Sequence, residues 1–215
     1  ACLHPFIRNT IGCMEFGGVL LNKRNNRNND GGTTRRTTDI FQLATGVLFQ
    51  NPIQNFALAP NNLTDAPALC MDFMKQIPTT WDETRFIDGY PGKYVILARR
   101  HGDQWYVAAI NNTGEPLKVE VDLSFFKGSS ATHYYDEKDL AFAVKDIKFK
   151  KNKKVKLNIP HNGGNVIVEN KEYSGNPILP GFHADPEVLY SNKTGRYYIY
   201  TTTDGQPGWG GWYYT

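Results

Sequence analysis

The 215-residue sequence has few cysteines, little net charge and no long apolar run, and each shortage excludes a class of protein. Its three cysteines, Cys2, Cys13 and Cys70, have neither metal-ligand spacing nor the even number of a disulfide framework. Each has apolar sequence neighbours, so we expect three buried thiols. No apolar segment approaches the roughly 20 residues that span a bilayer, so we expect no membrane-spanning helix.

The net charge of +3 is too small to indicate a nucleic-acid partner, and no recognition motif accompanies it. Its local source is a lysine cluster between Lys148 and Lys156. Apolar residues alternate on both sides of the cluster, at Ile147, Phe149 and Val155. We therefore expect the lysines to lie in a solvent-exposed hairpin turn.

Apolar residues make up 40% of the sequence and charged residues 21%, which predicts a folded chain with a buried core. The high aromatic content, 13%, favours β-rich packing first and stacking on sugar rings second. The sequence shows no signal peptide, and it begins without methionine inside an apparent strand. We expect it to be part of a longer protein.

The first region, residues 1–78, has a mixed α/β pattern. Residues 3–11 predict a short strand, and residues 22–36, rich in Asn and Gly, predict an exposed loop. Apolar positions at helical spacing from Ile40 to Leu48, preceded by N-capping side chains, predict a helix. A second helix is predicted over Ala66–Gln76. Together these elements form only half of a repeating α/β unit, which cannot enclose a hydrophobic core by itself.

The second region, residues 79–170, changes to a period of two. Leu117, Val119 and Val121 alternate with charged residues, as in a strand with one face in solvent. Further strands are predicted over 94–98, 105–110, 131–135, 144–149, 155–159 and 165–168. Short strands with regular turns indicate an antiparallel β-sandwich. No titratable cluster stands out, so we interpret the region as a structural module that folds independently.

The third region, residues 171–215, predicts strands over 188–190 and 197–203, joined by a turn at 192–195. The last residues have the pattern of another strand. A hairpin and a half is not stable alone, so we expect this region to be the beginning of a larger β domain.

Motifs in the first two regions resemble the C-terminal part of glycoside hydrolase family 97. In order they are PFIRNTIGCMEF at 5–16, FQNPIQNFA at 49–57, PTTWDETR at 78–85, DGYPG at 88–92, ARR at 98–100 and WY at 105–106. The resemblance implies the end of an α-glucosidase or α-galactosidase (β/α)8 barrel, followed by a β-sandwich, and slightly favours α-galactosidase. It also implies a calcium ion in the parent active site. Because the family's acid and calcium-ligand glutamates lie upstream of Pro5, we assign no metal ligand to this chain.

The same resemblance gives candidate substrate-binding residues near the N-terminus. Barrel loops after strand C-termini face the active site, so Arg8, Asn9 and Glu15 are candidates to line the sugar pocket. The alternative is a salt bridge within the loop. Glu15 stands where the family commonly has Asp, and we assign it no catalytic role.

The motif NPILPGFHADP at 176–186, followed by YYIY at 197–200, resembles the first blade of glycoside hydrolase family 43. Members of that family are inverting five-bladed propellers that act mostly on arabinose- and xylose-containing chains. Their general base is the Asp of this Ala-Asp-Pro, which is Asp185 here. An inverting enzyme needs one carboxylate to activate water and a second, protonated one across the sugar. The alternative is an Asp-Pro turn in which the side chain bonds nearby backbone.

Together these patterns predict an α+β chain that is mainly β: the tail of a (β/α)8 barrel, an antiparallel β-sandwich, and the first strands of a five-bladed β-propeller. The expected parent is a secreted or periplasmic glycosidase with an oligo- or polysaccharide substrate. With neither carboxylate pair complete, we expect the 215-residue chain itself to be inactive. The rival interpretation is a non-catalytic sandwich that binds sugar or links domains. An exposed aromatic row would favour it, but Trp105 and Tyr106 are expected in the core.

Overall fold

The computed structural model of the chain describes residues 1–15, 17–24, 31–57, 66–137, 141–149, 152–171, 184–202 and 212–214, and of these it gives the backbone alone at 184–188, 196–202 and 212–214. The chain divides into two compact units, Ala1–Glu172 and Tyr173–Thr215. The boundary expected after residue 78 lies inside the first unit, so the helices and the sandwich pack as one body.

The first unit begins with a 3-10 turn, His4–Phe6, and a short helix α1, Arg8–Ile11. The strand predicted over residues 3–11 is therefore wrong. The carbonyl of Leu3 accepts from the N–H groups of Phe6 and Ile7, at 3.1 and 3.2 Å. The apolar residues Leu3, Phe6, Ile7 and Ile11 are spaced as on a helix, which the alternating-strand interpretation missed.

Two longer helices confirm the helical predictions. Helix α2, Asp39–Leu48, begins at its N-cap residue Thr38, whose Oγ1 accepts from the N–H of Phe41 at 3.1 Å. Helix α3, Ala68–Gln76, begins directly after Pro67, two residues later than predicted. Among the described residues, no helix is long and apolar enough to cross a membrane.

Eight strands complete the first unit. They are β1 (Glu83–Tyr90), β2 (Tyr94–His101), β3 (Gln104–Asn111), β4 (Leu117–Asp122), β5 (Ser130–Asp136), β6 (Phe142–Lys148), β7 (Lys154–Ile159) and β8 (Gly164–Glu169). Six form an antiparallel sheet in the order β1-β2-β3-β8-β5-β6, and β4 and β7 form a separate two-stranded sheet. This arrangement confirms the predicted antiparallel sandwich. The assignment of the helices to a barrel tail stays a prediction.

The six-stranded sheet is the middle of three layers. On β2, Val95 and Leu97 pack with the helices, whereas Ile96 and Ala98 pack with β4 and β7. Strands β3 and β8 divide their apolar residues in the same way. Burial on both faces explains why these strands have nearly continuous apolar runs. Strand β4 has only one buried face, so apolar and charged residues alternate along it.

The fold corrects two further expectations and adds one strand that was not predicted. The lysine cluster is not a hairpin turn, because β6 pairs with β5 and β7 pairs with β4, so the connection passes between sheets. Cys2 and Cys70 are buried, but Cys13 is exposed in irregular chain after α1. Strand β1 was not predicted, because a bulge between Phe86 and Asp88 interrupts its alternation.

The second unit contains a three-stranded antiparallel sheet. Strands β9 (Ala184–Ser191), β10 (Arg196–Thr202) and β11 (Trp212–Tyr214) lie in the order β11-β10-β9. The predicted hairpin and its turn are confirmed: Gly195, with φ of +66°, donates its N–H to the carbonyl of Ser191 at 2.8 Å. That these strands begin a propeller stays a prediction.

Candidate functional site

The three predicted pocket residues near the N-terminus differ in exposure. Arg8 and Asn9 belong to α1, and Glu15 follows it in irregular chain. Arg8 and Glu15 are exposed, and none of the ion pairs found among the described residues joins them, so the alternative of a salt bridge is not supported. Asn9 is buried, and neither polar atom of its amide has a hydrogen-bond partner within the described part of the chain.

Asp185 lies in β9, at the end of the strand where its pairing with β10 is irregular. Ala184 pairs with Thr202 and Glu187 with Tyr200, with a register shift between the two pairs. The motif residues 176–183 lie outside the described residues, as does the side chain of Asp185. Its predicted role as a general base therefore stays a prediction.

A polar cleft of about 540 Å³ lies in the sandwich. Strands β5, β6, β7 and β8 all contribute to it. Its lining residues are His133, Tyr135, Asp136, Glu137, Lys145, Lys156, Asn158 and Asn165. The expectation that the sandwich holds no titratable cluster is therefore wrong.

The cleft follows from unequal sheets. Strands β5 and β6 extend the large sheet beyond β8, but the small sheet has only β4 and β7 to cover it. Strand β7 is consequently an edge strand, and one of its carbonyls, that of Asn158, accepts from Nδ2 of Asn165 on β8 at 3.3 Å. The two sheets are thus joined by a side-chain hydrogen bond beside the cleft.

The first polar group of the cleft is a buried histidine in a defined tautomer. Nδ2 of Asn165 also donates to the carbonyl of Gly164 at 2.7 Å, so its Oδ1 is the acceptor for Nε2 of His133 at 2.5 Å. His133 is 3% exposed, and burial lowers its pKa to about 4. The ring is therefore neutral at pH 7, and its Nδ1 is a lone-pair acceptor. No group in the described residues donates to that atom.

The second polar group is a buried carboxylate. Oδ2 of Asp136 accepts from Oγ1 of Thr38 at 2.8 Å and from the N–H of Gly164 at 2.9 Å. Burial raises the pKa of Asp136 to about 6, against the opposing effect of these two hydrogen bonds. Its Oδ1, like Nδ1 of His133, has no partner among the described residues. The carboxylate also ties the N-terminus of α2 to the sheet, because Thr38 is the N-cap residue.

The rim of the cleft carries donors. Nζ of Lys145 lies 4.5 Å from the ring centroid of Tyr135, whose other ring contact is with His133 at 5.0 Å between centroids. Lys156 and Asn158 are exposed on β7. Within the described ranges, no group of three or more His, Cys, Asp and Glu side chains could hold a metal ion. The described lining residues supply hydrogen-bond donors and acceptors.

A buried cation lies on the helix-facing side of the sheet. Arg99 on β2 is 3% exposed, and its guanidinium lies 5.8 Å from the ring of Trp81. Burial lowers its pKa to about 10, so it stays charged at neutral pH. Its Nε and Nη1 have no acceptor among the described residues.

The aromatic residues that might have formed an exposed sugar-stacking row are in the core, as expected. Trp105 is 3% exposed between the two sheets, and Tyr106 is 4% exposed beneath the helices. Because both side chains are buried, they do not form the exposed aromatic row that would favour a sugar-binding face. The polar cleft does not include either residue.

Comparison with known proteins identifies the sandwich. The family model described as "Glycosyl-hydrolase 97 C-terminal, oligomerisation" matches residues 80–168, a segment that begins three residues before β1 and ends at Val168 in β8. Residues 80–168 are similar to the C-terminal domain of glycoside hydrolase family 97. The matched segment contains every residue that lines the polar cleft. This match supports the resemblance of the second region to the C-terminal part of family 97.

Individual relatives extend beyond this domain. Over 170 residues the chain is 34% identical to a retaining alpha-galactosidase of Bacteroides thetaiotaomicron, a match that covers 74% of this chain and 25% of that protein. The crystal structure of a beta-arabinopyranosidase is 66% identical, with a TM-score of 0.75 over 78% of this chain and 27% of its own. A family 97 enzyme from Pseudoalteromonas sp. strain K8, in complex with panose, shares the fold, with 24% identity and a TM-score of 0.66 over 78% of this chain and 28% of its own. The chain spans about a quarter of each relative.

Proposed function

We propose that the parent of this chain is a retaining glycoside hydrolase of family 97 that acts on β-L-arabinopyranosides and α-D-galactopyranosides. The observation that carries this proposal is the 66% identity to the beta-arabinopyranosidase over 78% of the chain. The lower identity to the alpha-galactosidase, 34%, supports the second substrate. Calcium in the parent site and secretion or periplasmic location belong to the same proposal, by family resemblance.

The two substrates are chemically one class. β-L-Arabinopyranose has the ring stereochemistry of α-D-galactopyranose and lacks only the hydroxymethyl group at C5. A pocket that binds the shared axial 4-hydroxyl accepts both rings and disfavours glucose, in which that hydroxyl is equatorial. A site that hydrogen-bonds a substrate hydroxyl discriminates strongly, because its polar groups are left unpaired by the wrong sugar.

The present chain supports this function as the base of the catalytic barrel. The backbone of Phe41 on α2 packs directly on Gly164: a Cβ added at Gly164 would lie 2.9 Å from Cα and N of Phe41. The hydrogen bond from Thr38 to Asp136 fixes the same helix. These contacts give α2, which we propose to be one of the last barrel helices, a rigid position on the sandwich. Arg8, Asn9 and Glu15 are proposed to line the sugar pocket in the parent.

The test is to express the parent protein and measure kcat/KM on three nitrophenyl glycosides. We expect the β-L-arabinopyranoside and the α-D-galactopyranoside to exceed the α-D-glucopyranoside by at least about 100-fold, and proton NMR to show that the first-formed anomer retains the substrate configuration. A preference for the glucoside, or an inverted product, contradicts the proposal. The 215-residue chain alone serves as the inactive control.

A second function is proposed for residues 171–215, as the start of a family 43 propeller with Asp185 as its general base. The motif at 176–186 and the three-stranded sheet β9–β11 support it. In the parent, Asp185→Asn should lower kcat on arabinofuranosides or xylosides by about 10²–10⁴-fold, leave KM nearly unchanged, and leave family 97 activity intact. Wild-type turnover of both pentosides by this variant would exclude the role.

A further inference from the structure

We propose that an apolar face formed by Leu3, Ile7, Ile11 and Phe86 is the surface on which the rest of the parent enzyme packs. This inference rests on the proposed family 97 parent, but it concerns how the chain is assembled and not the reaction. Three observations support it: the exposure of the four residues, the contacts that hold them in place, and the length of related enzymes that lies outside this chain.

Three of the four residues form one stripe along the first helical turns. Leu3, Ile7 and Ile11 are four residues apart, and the N–H of Ile7 donates to the carbonyl of Leu3 at 3.2 Å, as in an α-helix. Residues at this spacing lie on the same side of a helix. They are 45%, 53% and 81% exposed. The helical turns therefore present an apolar side to solvent.

Phe86 extends this face onto the sheet. It is 58% exposed on β1, an edge strand, where it pairs with Leu97 on the helix-facing side of β2. The ring of Phe6, the residue before Ile7, lies 6.0 Å from the ring of Phe86 between centroids. Helix α2 packs mainly on β3 and β8, so it leaves Phe86 uncovered. The helical stripe and the edge of the sheet thus form one continuous face.

Contacts on the inner side hold this face in place. The ring of His4 meets the buried ring of Phe49 edge-on, at 5.3 Å between centroids. Phe6 packs on the bare backbone of β1, since a Cβ added at Gly89 would lie 2.8 Å from Cζ of Phe6. The exposed apolar residues therefore belong to an element that is docked on the core and on the sheet.

A face of this kind indicates a partner. Apolar residues that are exposed singly are normal on soluble proteins, whereas a contiguous exposed group marks an interaction surface. The four side chains carry neither a charge nor a hydrogen-bonding group. The surface that covers them is therefore expected to be apolar as well.

The length of the related enzymes favours the rest of the parent chain as that partner. The match covers 25% of the alpha-galactosidase and 27% of the beta-arabinopyranosidase, so about three quarters of each lies outside it. The family model begins at residue 80, so Leu3, Ile7 and Ile11 precede the matched sandwich segment and belong to the proposed barrel tail. The helices of a (β/α)8 barrel form a ring around its strands, so a few of them without the others leave apolar surface uncovered.

The test introduces a carboxylate on this face in both the parent protein and the 215-residue chain. Ile11→Glu and Phe86→Glu should each lower the melting temperature of the parent by at least about 5 °C, because the carboxylate is then buried among apolar groups. In the 215-residue chain both positions are exposed, so its melting temperature should change by about 2 °C or less. Sedimentation velocity should show reduced self-association of the chain.

Matched variants separate the loss of an apolar contact from the added charge. Ile11→Val and Phe86→Leu keep the face apolar and should leave the parent closer to the wild-type melting temperature than the two glutamate variants. Asn158→Glu adds the same charge at an exposed position of another edge strand, β7, and should change neither protein.

Three results would overturn the proposal. Equal effects of Phe86→Glu and Asn158→Glu on the parent would mean that the face is not covered. A loss of stability in the 215-residue chain as large as in the parent would place these residues in its own core. A parent that keeps its melting temperature but dissociates from dimer to monomer would make the face a contact between copies. Melting requires no substrate, so a destabilised parent without the proposed glycosidase activity contradicts the proposed function and not this interface.

Discussion

His133 and Asp136 lie three residues apart on β5, and burial moves their pKa values past each other. That of His133 falls from 6.5 to about 4, and that of Asp136 rises from 3.8 to about 6. The imidazole packs on the side of the sheet that faces β7, and the carboxylate bonds Thr38 on the helix side. One strand therefore holds two groups, each shifted toward its neutral form.

These shifts predict opposite dependences of stability on pH. Asp136 binds its proton more tightly in the folded state, so its contribution is full below pH 3.8 and is lost as the pH rises through 6. His133 binds its proton less tightly in the folded state, so its contribution is present above pH 6.5 and is lost as the pH falls through 4. At about 1.4 kcal/mol per pH unit, each amounts to about 3 kcal/mol, and the two nearly cancel.

Two variants separate the titrations. In Asp136→Asn only the titration of His133 remains. We therefore expect the difference in unfolding free energy between this variant and wild type to rise by about 3 kcal/mol from pH 4 to pH 6.5. His133→Gln, whose amide can still donate to Asn165, should show the opposite slope. Urea denaturation across this range measures both. Parallel stability curves for the three proteins would show that these groups are not shifted in opposite directions.

The capping residue Thr38 offers a second prediction. Thr38→Val removes both the N-cap bond to Phe41 and the bond to Asp136, and should lower the free energy of unfolding by about 1–3 kcal/mol. Because the lost bond also holds the pKa of Asp136 down, that pKa should rise further. Thr38→Ser keeps the hydroxyl and is the control. A stable Thr38→Val protein with an unchanged Asp136 titration contradicts the assigned contacts.

The close contact between α2 and the sheet leads to a third prediction, on stability. Gly164→Ala places a Cβ 2.9 Å from backbone atoms of Phe41, which cannot move without shifting the helix, so we expect a loss of about 1–3 kcal/mol. At Gly12 an added Cβ meets nothing within 4 Å, so Gly12→Ala is the matched control. Thermal melting compares them. Equal melting temperatures would mean that α2 does not lie on Gly164.

The buried guanidinium of Arg99 leads to a fourth prediction. Replacing buried charged groups with apolar side chains of similar volume is often neutral or stabilising by about 1–4 kcal/mol, and Nε and Nη1 of Arg99 have no acceptor among the described residues, so Arg99→Met should match or exceed the wild-type melting temperature. Arg100→Met, at a partly exposed residue paired with Glu83 and Asp82, should change stability by about 1 kcal/mol or less. A marked loss of stability in Arg99→Met would show that the guanidinium has an acceptor.

The sequence was sufficient to predict the secondary-structure elements whose apolar pattern directly reflects which of their faces are buried. Helix α2 has a capping side chain and apolar residues at helical spacing, and β4 has one face in solvent, so both were predicted within a residue or two. Strand β1 was missed because its bulge breaks the alternation near Ile87.

The cleft could not be predicted, because it depends on which strands pair. His133 and Asn165 are 32 residues apart, and they meet only because β5 pairs with β8. A signal was nevertheless present: His133 occupies the inward position two residues after the buried Ala131, where an apolar side chain is expected. A polar residue at an inward strand position is a useful marker of a site.

The burial of the middle sheet on both faces bears on how this molecule can be divided. A truncated protein that begins at residue 79 would keep all eight strands of the sandwich, which was predicted to fold independently. It would lack α2, however, so the sheet face that α2 covers would be exposed to water. That face carries six nearly fully buried apolar side chains: Val95, Leu97, Tyr106, Ala108, Ile110 and Val166. A contiguous apolar surface of this kind promotes self-association. The smallest soluble piece of the first unit should therefore retain α2, although the family model matches only from residue 80 onward.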